Sequence, residues 1–180
     1  MRKALLFFFL LVVKATVFSQ NLYVGNHGSI KFRSEARQEL IDATSEKLKS
    51  IIDADKKTFA FSVPISSFTG FNAELQREHF NEKYMESSKF PTAFFKGKII
   101  EDVDLKKNGT WDVRTKGILS IHGVEQERII KATIIIRNGV LTVTSKFNVL
   151  LKDHQIKVPR VVHEKIATEI FVDVNAELKK

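Results

Sequence analysis

From Thr58 onward the apolar residues of this chain recur at every second position, and no other feature limits its fold as severely. Successive side chains of a strand point to opposite faces, so this alternation marks strands with one apolar face. In "TFAFSVPIS", Phe59, Phe61, Val63 and Ile65 share one face, and Ala60, Ser62, Pro64 and Ser66 share the other. "WDVRTKGILSIHG" places Trp111, Val113, Thr115, Gly117, Leu119 and Ile121 together. "LTVTSKFNVLLKD" groups Leu141, Val143, Ser145, Phe147, Val149 and Leu151, and a last run groups Ile166, Thr168, Ile170, Val172 and Val174. Strands with one polar face are antiparallel in character, since parallel strands are apolar on both faces. Asn108-Gly109 and Asn138-Gly139 lie between such runs, and each predicts a tight hairpin turn, where both central residues take positive φ.

The chain opens "MRKALLFFFLLVVKATVFSQN", in which Arg2 and Lys3 precede an apolar run from Ala4 to Val13 and small or branched residues lead to Ser19. This reads as a secretory signal peptide, residues 1–19, with cleavage expected after Ser19. The run is interrupted by Lys14 and falls short of the roughly 20 apolar residues of a spanning helix, so no transmembrane segment is expected in the mature chain. Its removal takes away Arg2, Lys3 and Lys14, lowering the net charge from +8 to +5 and leaving 161 residues, 20–180, for a single domain. The absence of cysteine excludes disulfides, thiol catalysis and a lipid-modified cysteine, which leaves a soluble periplasmic or secreted protein. The remaining basic residues are interleaved with acids, and no nucleic-acid partner is expected.

Two segments break the strand pattern. "FNAELQREHFNEKYMESS" reads as one α-helix from Asn72 to Ser87, with Asn72 as its cap and Phe71, Leu75, His79, Phe80 and Tyr84 near one side. Glu74, Glu78, Glu82 and Glu86 form an i, i+4 row on it that reads as a solvated edge. Residues Gln38 to Asp53 fit a helical stripe, through Leu40, Ile41, Leu48, Ile51 and Ile52, as well as they fit a hairpin.

Catalytic signals are absent or weak. His27, His79, His122, His154 and His163 are far apart and lack the paired spacing of a metal site, and no phosphate loop or nucleophile elbow is present. No metal and no cofactor is expected. A hydrolase or isomerase built on His79 or His122 would need a carboxylate or hydroxyl within hydrogen-bond reach of the ring.

The strands and the single helix together suggest an all-β fold, an antiparallel sheet of about eight strands closed into a barrel, with the helix capping or flanking one mouth. Such a barrel either fills with side chains or holds one small ligand. The inward set is rich in Phe, of which the chain has 15 against 2 Tyr. Large flat residues suit a solid core and an apolar pocket equally, so periodicity leaves both open. A continuous cavity of at least ~300 Å³ would favour the pocket.

"REHFNEKYMESSKFPTAFFKG", "GILSIHGVEQE" and "FNVLLKDHQIKVP", in that order, resemble the YceI-like family, and the likeness runs from about Gly28 to about Val174. The resemblance implies a lipocalin-like barrel, exported in bacteria, in which some members hold a polyisoprenoid or similar lipid, and it implies no catalytic residues. It also favours strands for Gln38 to Asp53. The chain departs from the family pattern in the polar stretch "ATSEKLKS" and at His154, where an aromatic is common. The expected ligand is an apolar lipid such as a polyisoprenoid. Phe61, Phe95, Trp111, Leu119, Phe147, Val149 and Ile170 are expected to line the lumen, with Phe71, Phe80 and Tyr84 closing it and His79 as a polar contact. The rival from another class is a filled barrel that binds an envelope protein through its surface. A homodimer through an edge or the mouth is compatible with either.

Overall fold

The structure, a computed structural model, describes residues 21–180. Residues 1–19, read above as a signal peptide, lie outside the described residues. Eight strands run β1 (Leu22–Glu35), β2 (Leu40–Asp53), β3 (Thr58–Pro64), β4 (Thr92–Ile99), β5 (Gly109–Ile121), β6 (Val124–Arg137), β7 (Val140–Leu150) and β8 (Glu169–Lys179). Each pairs antiparallel with its neighbour in the chain, and β8 returns to β1, so the sheet is a closed barrel without a terminal edge strand. The α-helix is α1 (Glu74–His79).

Gln38 to Asp53 contains one continuous strand, β2, and neither a helix nor an internal hairpin. Its inward parity changes between Ser45 and Leu48, because Gly28 pairs with Leu48 while Ile30, two residues on, pairs with Ser45 three residues back. A bulge of this kind re-aims the side chains, and the shift in parity is what imitated a helical stripe. Of the two expected Asn-Gly turns, Asn138-Gly139 has φ of 51° and 79° and joins β6 to β7 directly. Asn108-Gly109 makes no such turn. β4 and β5 are joined by residues 100–108, which bring the fully buried Leu105 into the core, and the Asn108 side chain accepts a hydrogen bond from the Asn138 N–H at 3.2 Å. The second two-residue turn is His122-Gly123, φ 53° and 72°, between β5 and β6.

The helix is shorter than expected. Asn72 does not cap it; Ala73 holds that position, and the Asn72 amide instead donates to the Leu40 carbonyl at 2.9 Å. After His79 the backbone widens into a π-type turn, Phe80–Tyr84, and Glu86 then takes φ of 42°, which ends the helical run. Phe32 of β1 meets Phe68, Phe71 and Phe80 at centroid distances of 5.4, 5.9 and 5.2 Å, and this aromatic cluster seats the segment on the barrel.

The two ends of the barrel are closed unequally. At the end where β1 starts, Tyr23, Leu105, Ile136, Leu141 and Leu178 are buried together, and the Tyr23 hydroxyl donates to the Leu105 carbonyl at 3.1 Å. The other end carries α1, the π-turn and residues 151–168. Between β6 and β7 the backbone pairs only from Thr133–Arg137 to Val140–Thr144. Beyond that, side chains bridge the strands: Ser145 Oγ donates to the Lys131 carbonyl at 2.6 Å, and Arg128 Nη2 donates to the Asn148 carbonyl at 2.9 Å.

Gly97 and Gly117 face one another across β4 and β5. A Cβ on Gly97 would lie 2.1 Å from the Lys116 carbonyl oxygen, and one on Gly117 would lie 2.3 Å from that of Lys96. Backbone atoms block both, so this corner of the wall needs glycine. Gly97→Ala and Gly117→Ala are each expected to destabilise the fold by about 1–3 kcal/mol, as overpacking does. Urea denaturation reads the effect as a lowered midpoint with an unchanged slope.

Candidate functional site

The barrel encloses a cavity of about 500 Å³, within the range of small-molecule sites. It exists because the wall mixes large and small inward residues. Phe61, Phe95 and Phe147 stand beside Ala93, Thr115, Ala132 and Ser145, which leave space at mid-height. The closed end forms its floor through Ile52, Ile99, Ile134 and Val143. Several inward phenylalanines, among them Phe32, Phe61, Phe95 and Phe147, are only half-buried although they point into the barrel, because they face this empty space.

Polar side chains of the wall such as Thr115 and Ser34 are bonded to backbone. Thr115 Oγ1 donates to the Ile130 carbonyl at 2.8 Å, and Ser34 Oγ accepts from the Ala167 N–H at 2.9 Å. The charged residues that reach the cavity, Glu39 and Lys165, lie in the β1–β2 connection and the 151–168 segment, at the capped end, where Gln76 and His79 of α1 join them. The Gln76 amide donates to Glu39 Oε1 at 2.5 Å, and His79 Nε2 meets Lys83 Nζ at 3.0 Å. The cavity is therefore apolar in its depth and polar at its mouth.

Nine of the residues expected to line or close the lumen do border this cavity: Phe61 of β3, Phe95 of β4, Leu119 of β5, Phe147 and Val149 of β7, Ile170 of β8, and Phe71, Phe80 and Tyr84 of the cap. His79 borders it as well. Trp111 does not. It is half-buried and packs on the lower core. It shares a strand face with Leu119 but lies eight residues away, about 26 Å along the strand, toward the closed end. Sequence reasoning passed over Ile30 and Phe32, although "SIKFRS" alternates, and also Val162. Val162 lies in an irregular segment whose sequence gives no period to follow.

The histidines have structural surroundings. His79 has a lysine, not a carboxylate, beside its ring. His122 does meet a carboxylate, Glu86 Oε2, at 2.7 Å from Nε2. Glu86 thus departs from the solvated row expected of it. The other ring nitrogen of His122 lies 3.2 Å from the His154 carbonyl oxygen, and Phe90 packs edge-on at 4.8 Å. His122 does not border the cavity, and with both nitrogens engaged it ties the cap to the β5–β6 turn. His154 is fully buried, and its Nδ1 donates to the Val124 carbonyl at 3.0 Å, while Nε2 has no hydrogen-bond partner within bonding geometry among the described residues. Among the described residues no group of three acidic, histidine or cysteine side chains is arranged to hold a metal, and no helix is long and apolar enough to cross a membrane.

A closed, eight-stranded antiparallel barrel with an apolar cavity open at a polar mouth is a lipocalin-like binding fold. The YceI-like domain matches residues 20–178, and the chain belongs to the YceI-like family. Solved structures of the same fold include a polyisoprenoid-binding domain from Saccharophagus degradans implicated in plant cell wall breakdown, with a TM-score of 0.74 at 12% identity over 89% of this chain and 99% of that one. BcnA from Burkholderia cenocepacia superimposes with a TM-score of 0.69 at 12% identity, over 83% of this chain and 95% of that one. The Campylobacter jejuni YceI protein gives 0.57 at 15% identity, over 72% and 77%. No curated protein matches the sequence. At these identities the structural likeness establishes the fold.

Burial holds the His154 pKa below its ordinary value of 6.5. The ring is thus neutral in the folded chain, whereas the unfolded chain takes up a proton below pH 6.5. Its contribution to stability is complete above that pH and declines as pH falls toward the depressed folded value, at up to about 1.4 kcal/mol per pH unit for one proton. His154→Gln should therefore be less stable than the parent at pH 7.5, and the gap should narrow between pH 6.5 and pH 5.5. Parallel urea titrations at the three pH values measure it.

Proposed function

We propose that this protein is an exported, non-enzymatic carrier that holds one apolar lipid, a polyisoprenoid or a chain of similar shape, with its tail in the barrel and its polar end at the mouth. The observation that carries this reading is the cavity of about 500 Å³, whose depth is lined by aliphatic and aromatic side chains and whose charged groups are confined to the mouth. Burying a methylene contributes about 0.8 kcal/mol, so each five-carbon isoprene unit gains roughly 4 kcal/mol before ordering and association costs. Two or three buried units suffice for useful affinity. Below the mouth, the described residues that line the cavity include no charged side chain and no built set of hydrogen-bond donors for a polar ligand, which favours a hydrocarbon chain. The polyisoprenoid-binding relative of the same fold supports the same ligand class. Export to the periplasm rests on the N-terminal pattern Met1 to Ser19.

Native mass spectrometry of residues 20–180, purified without detergent from the periplasm of an expressing bacterium, tests the proposal. A stoichiometric adduct that solvent extraction releases as a lipid is expected; a bare chain mass that stays unchanged after incubation with polyisoprenoid lipids would refute it. Phe147→Glu places a charge against the cavity and is expected to lower retained lipid at least about tenfold, given the cost of burying an unpaired carboxylate. Ala132→Phe, which fills the space rather than charging it, should also displace lipid while leaving the protein folded by circular dichroism. Retained lipid in both variants would move the ligand out of the barrel.

A further inference from the structure

Three segments from distant parts of the chain meet around the mouth: the β1–β2 connection, the start of α1, and the loop before β8. They are joined by hydrogen bonds: the Asn72 side-chain amide donates to the Leu40 carbonyl at 2.9 Å, and the Gln38 backbone N–H donates to the Glu164 carbonyl at 2.7 Å. Each leaves a large apolar side chain in water: Leu40 is 54% exposed, Leu75 59% and Val161 89%. Leu75 and Val162, next to Val161, border the cavity itself. The loop also carries Lys157, Arg160 and Lys165, none of which forms an ion pair among the described residues. Its acid, Glu164, faces Arg37 at 3.7 Å, and of the neighbouring acids Glu74 is held by Arg77 at 2.9 Å and Glu39 by the Gln76 amide. Glu78 and Glu82 remain exposed on the helical segment.

We propose that this rim docks on the surface of an anionic lipid bilayer, with Val161, Leu40 and Leu75 entering the interfacial layer and Lys157, Arg160 and Lys165 meeting headgroup phosphates. The inference rests on the lipid-carrier reading. Each methylene exposed to water lowers the aqueous population of a lipid roughly fourfold, so a long chain does not leave a membrane unaided at a useful rate. A carrier with one open mouth must bring that mouth to the bilayer, and Leu40, Leu75 and Val161, among them the most exposed large apolar residue of the described chain, stand together at the mouth. Apolar residues flanked by cations are the composition that binds interfaces, and the cations add attraction to anionic lipid that salt screens.

Flotation of residues 20–180 with phosphatidylcholine vesicles, with and without phosphatidylglycerol, tests the proposal. The parent is expected to float with the anionic vesicles and to be released in part by salt. Val161→Glu and the double variant Lys157→Glu, Arg160→Glu should each lower the bound fraction about tenfold. Ile129→Glu, at a position 59% exposed on the outer face of β6, should bind as the parent does. A parent that stays in solution would overturn the proposal, and so would an Ile129→Glu loss equal to that of Val161→Glu. Native mass spectrometry of the same samples separates the two readings. A parent that floats yet never holds lipid removes the carrier and leaves the docking surface, whereas one that holds lipid and does not float removes docking alone.

Discussion

Strand β8 pairs with β1 as well as with β7, and everything else in the molecule follows from that return. An open sheet of this length would expose an unpaired edge on each side and would need a second layer to cover its apolar face. Closure satisfies the backbone and encloses one face of every strand at once. The inside then has a width set by the strand number, and the residues that point inward compete for that volume. Where they are Tyr23, Ile136, Leu141 and Leu178, the barrel is solid. Where Ala93, Thr115, Ala132 and Ser145 alternate with phenylalanine, it is hollow.

Much of this was legible in the sequence because a strand advertises its inward face every second residue. The faces read for β3, β5, β7 and β8 are those that enclose the core and cavity, and the cap residues Phe71, Phe80 and Tyr84 were found from helical spacing although the α-helix is well under half the expected length. Asn138-Gly139 was read correctly from its chemistry, since both residues occupy positive φ. The family resemblance favoured strands for Gln38 to Asp53, which local pattern left undecided, and the segment is one strand.

What escaped reading depends on height and on register, which a single strand does not encode. Trp111 shares its face with Leu119 but not its level in the barrel. The bulge in β2 reversed the parity of its inward residues, and the chain's periodicity reported only the confusion. Asn108-Gly109 has the composition of a tight turn, yet the demand for an apolar plug drew residues 100–108 into a longer connection ending in it. The same holds for Glu86, which belongs to an apparently solvated row until the backbone turns it onto His122. The segment before β8, which supplies Val162 and Lys165 to the mouth, has no period to detect.

The join between β6 and β7 gives the wall two kinds of hoop. Beside the Asn138-Gly139 turn the strands are held by backbone bonds of fixed length, and the girth there is set by geometry. Nearer the mouth the same strands are held by a serine hydroxyl and an arginine guanidinium, whose rotamers and reach are adjustable. Phe147 and Val149 stand on the adjustable stretch, while Ile134 and Val143 stand on the fixed one. The join is consequently fixed at its base and adjustable at its shoulder, so under the proposed carrier reading an occupant would meet a variable bore close to the opening and a single gauge at depth.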